Sequence, residues 1–363
     1  MSITTQLTHS NEAWKLLRGL VCLYKPPGYP ASSLYGMLKN RITQDLNCME
    51  RTVYSDENLL PDPEEFGLEA EQSRLVVTTG DTEIVSSQTI RDYSTHPAVL
   101  GHGFHHQDHK VYGVNILGDK SSGVCLVGLN DGGVSLAKAV KRARLMSTYH
   151  VRGEFGRATR TGWSDGKTVM CQGWKYVRRR THLLEQLLIN ISSAHQSRAW
   201  EVAEVGVDTQ EAYELACKGP VRPKMISESL VYNISLLEAE LPHFTLEIQV
   251  VEGSGDQDQG HLVRLVEELA IKCKTVASVH SVRCAALGPW SADSALLYKH
   301  LDLQNVLNNI SHNRNIHREF LAKPGNLYSA NIKEKKPKLK QTQNQKKKND
   351  SEIVIDSRHL EIL

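Results

Sequence analysis

No uninterrupted run of eighteen apolar residues occurs in the 363-residue chain, so no segment reads as a helix spanning a bilayer. No Cys-x-x-Cys pair occurs either. The seven cysteines, from Cys22 to Cys284, are odd in number and scattered, which indicates neither a disulfide framework nor a standard cysteine zinc site and fits a reducing compartment. A secretory signal is missing, because the apolar run at 19–24 is too short for one. There is no internal repeat. What remains is a chain with 40% hydrophobic and 23% charged residues, which is globular in composition and long enough for one large or two ordinary domains.

The net charge of +2 conceals an uneven distribution. Residues 333–348 carry eight lysines against Glu334, whereas residues 349–363 carry four acids against Arg358. The first 332 residues are thus nearly neutral, with local charge. Residues 45–90 hold eleven acids and two arginines, and residues 138–160 hold seven basic residues and one acid, Glu154. A polyanion would approach the second stretch and avoid the first.

Residues 1–17 read as an N-terminal extension. Its first eleven residues contain no acid, and Trp14, Leu17, Leu20 and Val21 with Lys15 and Arg18 form a short amphipathic turn, the shape of a weak organellar presequence. A buried strand over 20–24 ends at Lys25-Pro26-Pro27-Gly28, since neither helix nor ladder tolerates such a density of proline. The spacing of Leu34, Met37, Leu38 and Ile42 predicts a helix over 33–42, started by a serine. Residues 55–72, with two prolines and five glutamates, read as a solvated acidic insertion. Strands at 75–78 and 82–85 flank a Gly80-Asp81 turn. Residues 101–119 read as a Gly- and His-rich loop with strand pieces. Then follow a strand at 124–129, a helix through Val134, Ala137 and Val140, and a strand at 149–155. Beyond these come helices at 183–191, 208–217 and 261–273, and strands at 244–251 and 276–283. The mixture is α+β. From 311 onward lysine, asparagine and glutamine dominate, which describes a disordered lysine-rich tail. That tail suits sequence-independent RNA binding, nuclear import or solubility alike.

Two groups of residues could carry chemistry on composition alone. His102, His105, His106 and His109 would share one face of a helix and could hold a metal, but Gly101, Gly103 and Gly113 oppose a helix there, so a polar loop is the favoured reading. Lys25-Pro26-Pro27-Gly28 alone is a rigid turn with an exposed lysine. Lys138, Lys141, Arg142, Arg144 and Arg152, with Arg178, Arg179 and Arg180 beside Trp174 and Tyr176, could follow a phosphate backbone.

Taken together, these segments resemble a known family. Lys25-Pro26-Pro27-Gly28 after an N-terminal strand is similar to the KPxG motif of TruB-type pseudouridine synthases. The run from Gly113 to Val124 occupies the place of their catalytic loop, and Ser147 to Gly153 that of their KxYxxxG strand. Thr209 to Tyr213 with Gly219 to Pro223 resembles the mitochondrial animal branch. His261 to Leu269 is similar to its arginine-bearing helix, and Ser281-Val282-Arg283 with Asp293 to Leu297 to the end of its catalytic domain. The order is colinear over residues 18–310, which read as one catalytic domain.

The resemblance implies a mixed, mostly antiparallel sheet flanked by helices. It also implies isomerisation of uridine to pseudouridine without metal or organic cofactor, in mitochondrial mRNA or tRNA. Mitochondrial matrix localisation and RNA-granule protein partners are implied as well. Matched by motif, Asp119 is the catalytic carboxylate, Tyr149 stacks on the flipped base, Arg264 pairs with the carboxylate, and Val282 packs near the base. Lys25, Lys141, Arg142, Arg144 and Arg152 would contact RNA. One departure stands out: the family's aspartate precedes its glycine by five residues, whereas Asp119 precedes Gly123 by four and Gly118 holds the fifth place. A pseudo-enzyme that keeps the fold as an RNA-binding or assembly factor is therefore the alternative.

Overall fold

The computed structural model describes residues 10–49, 72–79, 84–92, 103–179, 181–217, 219–221, 228–253 and 259–322. The acidic insertion at 55–72, His102, the Gly80-Asp81 turn, Arg180 and the lysine-rich tail lie outside the described residues or at their margins.

The continuous apolar run after Ser122 forms the central strand β5 (Ser122–Leu129), every residue of which is buried. Burial on both faces is what such a run predicts, because helices must cover each side. Beside it lie β1 (Gly19–Lys25), antiparallel, and β11 (Ala277–Leu287), parallel. β6 (Ser147–Phe155), β10 (His243–Val251) and β9 (Leu230–Glu240) continue the sheet antiparallel, giving the order β1-β5-β11-β6-β10-β9. Short β4 (Val111–Gly113) joins β5, and β12 (Trp290–Ser291) joins β11. Two hairpins stand apart: β2 (Gln72–Thr79) with β3 (Ile84–Asp92), and β7 (Arg157–Thr159) with β8 (Thr168–Cys171). The expected α+β class with a mostly antiparallel sheet is the observed one.

Alternation along the strands sorts side chains to two cores. On one face α1 (Ser10–Leu16), α2 (Ala31–Cys48) and α8 (Leu303–Ala322) bury Val21, Leu23, Cys125 and Val127. On the other, α3 (Asn130–Arg142), α5 (Thr181–Val202) and α7 (Gly260–Lys272) pack on Val124, Leu126, Tyr149, Val151 and Val282. A five-residue α4 (Lys175–Arg179) and α6 (Gln210–Cys217) complete the described helices.

Two stretches differ from the sequence reading. The extension at 1–17 contributes α1, whose Ala13 is fully buried, with Leu17 buried just beyond it. The chain after residue 310 continues as helix to Ala322. Asn313, inside the stretch read as disordered, and Asn309 just before it are used as backbone partners. Asn309 accepts from the Cys22 N–H at 2.9 Å, and Asn313 donates to Leu20 O at 3.0 Å, so this i, i+4 pair shares with the Leu296 backbone the task of satisfying the edge of β1. Among the described residues no helix is long and apolar enough to cross a membrane.

Candidate active site

Lys25 is fully buried, contrary to the exposed turn expected of it. It is the last residue of β1, placed opposite Gly123 at the start of β5. Its Nζ donates to the carbonyls of Gly118 (2.9 Å), Asp119 (3.1 Å) and Ser121 (2.7 Å). Burial lowers its pKa and the nearby Asp119 carboxylate opposes that shift. Gly28, at φ +83°, donates its N–H to Asp119 O at 2.8 Å. The Lys-Pro-Pro-Gly turn therefore grips the 118–121 loop by its backbone and presents no lysine to an RNA. Gly123 sits at φ +114°, where a Cβ would lie 2.1 Å from Cys284 O, so only glycine allows β11 to approach here.

From the opposite side the loop is held by Gln259, fully buried at the N-cap of α7 with φ +54°. Its Oε1 accepts from Gly118 N–H at 2.8 Å and its Nε2 donates to Ile116 O at 2.9 Å. Asn115 anchors the loop's start by accepting from Leu126 N–H at 3.0 Å and donating to Val124 O at 2.8 Å. Lys120 pairs with Asp165 at 2.6 Å and lies 5.6 Å from the centre of the Trp163 ring. The turn carrying both is bonded to β11 through Ser164 N–H to Val279 O and Val279 N–H to Gly162 O, each 2.8 Å.

Tyr149, the third residue of β6, lies between Ile248 and Cys284 and is completely buried. Its hydroxyl donates to Glu252, and burial first, then that carboxylate, raises its pKa well above the ordinary value. Val282, paired with Val151, is buried in the same core. Arg264 is exposed on α7, whose apolar neighbours Leu262, Val263, Leu265 and Val266 are buried. The Asp119 side chain is exposed as well.

Glu252 also lines a cavity of about 650 Å³ whose wall includes Tyr112, Asn115, Lys138, Lys141, Arg142, Arg144 and Ser147. Lys138 and Lys141 lie 5.6 and 5.7 Å from the Tyr112 ring centre. Three of the expected RNA contacts, Lys141, Arg142 and Arg144, thus gather at one mouth. Arg152 does not join them: alternation on β6 turns it to the face opposite Tyr149 and Val151, where it is exposed.

The described histidines of the 102–109 group differ in burial. His109 is buried against the Trp14 ring with neither nitrogen hydrogen-bonded, while His105 and His106 are exposed. Sequence reasoning missed Gln259 and Glu252. Both fall outside the apolar periodicity that identifies strands and helices, and only the tertiary approach of 116–118 to α7 gives Gln259 its partners.

No family model matches the chain. It resembles the crystallised archaeal Nop10–Cbf5 complex of the box H/ACA sRNP with a TM-score of 0.38 and 13% identity, covering 82% of this chain and 63% of that one. The chain thus spans less than two thirds of that solved chain's length. Among curated proteins, it is 28% identical to pseudouridylate synthase TRUB2, mitochondrial, of Xenopus tropicalis over 294 residues, 81% of this chain and 84% of that protein. With the human protein of the same description it shares 31% over 291 residues, 80% of this chain and 82% of the relative. At that identity and coverage the chain belongs to the TRUB2 family of mitochondrial pseudouridylate synthases.

Proposed function

We propose that this chain is an RNA pseudouridine synthase that works in mitochondria on messenger or transfer RNA. The observation that carries the reading is the joint held by Gln259, which ties the 116–118 loop to the first turn of the arginine-bearing helix beside Tyr149 and Val282. In this reading a uridine leaves its stack and enters beside Tyr149, whose ring is uncovered by movement of a neighbouring side chain. Asp119 acts as the nucleophile while the uracil is detached and reattached through carbon, and Arg264 holds the carboxylate ionised. Lys141, Arg142 and Arg144 take the flanking phosphates. The partners are RNA and, through it, mitochondrial RNA-granule proteins.

A second reading is favoured by one observation: Asp119 is exposed and stands four residues before Gly123. It makes the chain an RNA-binding assembly factor built on a synthase fold. Pseudouridine mapping of organellar and total RNA in cells lacking the protein, with rescue by wild type and Asp119→Ala, separates the two. Sites restored only by wild type establish the enzyme. Equal rescue, or no lost site, establishes the binding factor.

A further inference from the structure

The sheet face opposite Tyr149 carries a second group of side chains that the synthase reading does not use. Glu154 on β6, His243 directly opposite it on β10, and His280 on β11 converge, with their donor atoms all within 4.8 Å of one another. The register shift of β11 between Val279 and Ser281 brings His280 into this group, because a regular ladder would pair residues 279, 280 and 281 in step with β6. His280 Nε2 lies 3.0 Å from Glu154 Oε2. The two imidazoles stand 5.6 Å apart, centre to centre, at 67°. His243 Nδ1 is buried without a hydrogen-bond partner.

We infer that Glu154, His243 and His280 bind a divalent first-row transition metal, zinc foremost, with water in the remaining position. Two imidazoles and one carboxylate are a donor set that zinc takes at about 2.0–2.2 Å, which in a tetrahedron sets ligands roughly 3.3 Å apart. The Glu154–His280 pair already has nearly that spacing, and the His243 donor atom lies within 4.8 Å of both. Half-buried Glu154 and exposed His280 leave an open side for the water. Arg157 Nη2, 3.9 Å from Glu154 Oε2, is anchored on Ser164 O at 2.9 Å and stands as the carboxylate's outer partner. Its positive charge weakens the site, so micromolar affinity is expected. The ion would clamp three adjacent strands beside the turn that pairs with Lys120.

The test is equilibrium dialysis of the full chain against cobalt(II), followed by visible spectroscopy. One equivalent bound, with d–d absorption and no sulfur-to-cobalt charge transfer, is expected. At least a tenfold weakening is expected in His280→Gln and complete loss in His243→Gln/His280→Gln. Uptake should persist in Cys48→Ser/Cys171→Ser/Cys217→Ser and in His105→Gln/His106→Gln. Zinc should also raise the melting temperature of the wild-type chain, a readout that needs no variant. Absence of uptake by the wild type, thiolate bands, or uptake unchanged in the double histidine variant would overturn the site.

Discussion

The loop at 116–121 and the basic rim at 138–144 border the same side of the sheet, yet they are held in opposite ways. The loop is fixed through its backbone by two deeply buried side chains, Lys25 and Gln259, and by the Gly28 N–H. The rim consists of side chains on the last turn of α3 and just beyond it, steadied by an aromatic ring. A reacting group must be placed to a fraction of an ångström, whereas phosphates are attracted by charge that tolerates displacement. The contrast therefore separates a part of the molecule where one atom matters from a part where only the sum of charges does.

Lys25→Met should break the contrast most severely. It strips the carbonyls of Gly118, Asp119 and Ser121 of their shared buried donor, with an expected loss of about 3 kcal/mol or more in urea unfolding. Lys25→Arg should not rescue it, because a planar fork cannot occupy the point toward which three carbonyls converge. Next in size is Gln259→Glu. The new oxygen would face the Ile116 carbonyl in place of an N–H, so about 2 kcal/mol of stability and roughly a hundredfold in product formation should be lost, with RNA affinity retained. Affinity falling in parallel with turnover would show that the loop binds RNA rather than placing a reacting group.

The central strands and amphipathic helices were legible because burial imposes its period on the sequence: the run at 124–129 and the spacing of Leu262, Leu265, Val266 and Leu269 left little choice. The ordered motifs located the loop, the tyrosine and the arginine-bearing helix. What stayed hidden were polar residues whose value depends on a distant backbone. Lys25 looked like surface charge although it caps carbonyls 93 to 96 residues away, and Asn313 fell in a stretch that looked like disorder although its amide donates to the edge strand β1. Composition records that such groups are polar but not which orphan backbone atom awaits them.

Of the same order per residue, but felt only in binding, is removal of the rim. Lys141→Ala, Arg142→Ala and Arg144→Ala combined should leave folding unchanged and flatten the dependence of log affinity on log salt by about two units, with equal effect on RNAs of different sequence. Filter binding at several salt concentrations measures the slope. Arg152→Ala, on the opposite face, should change it little, and an equal effect would move the RNA path to that side of the sheet.

The smallest expected effect lies where α1 meets the loop at 103–110. Burial lowers the pKa of His109, with Asp108 opposing the shift and Lys39 and His106 reinforcing it. The native chain thus holds this imidazole neutral at pH values where the unfolded chain, titrating near about 6.5, has taken up a proton. The unfolded state binds more protons in that window, so stability should decline as pH falls below about 6.5 until the depressed native value is reached. His109→Phe keeps a ring against Trp14, removes two unpartnered nitrogens, and should gain about 1 kcal/mol at pH 5.5 but less at pH 8. The slope should shrink without vanishing, because His195 and His317 are shifted the same way by burial. Urea midpoints at the two pH values decide it: an identical gain at both would mean that packing against Trp14, and not the proton, governs this corner of the fold.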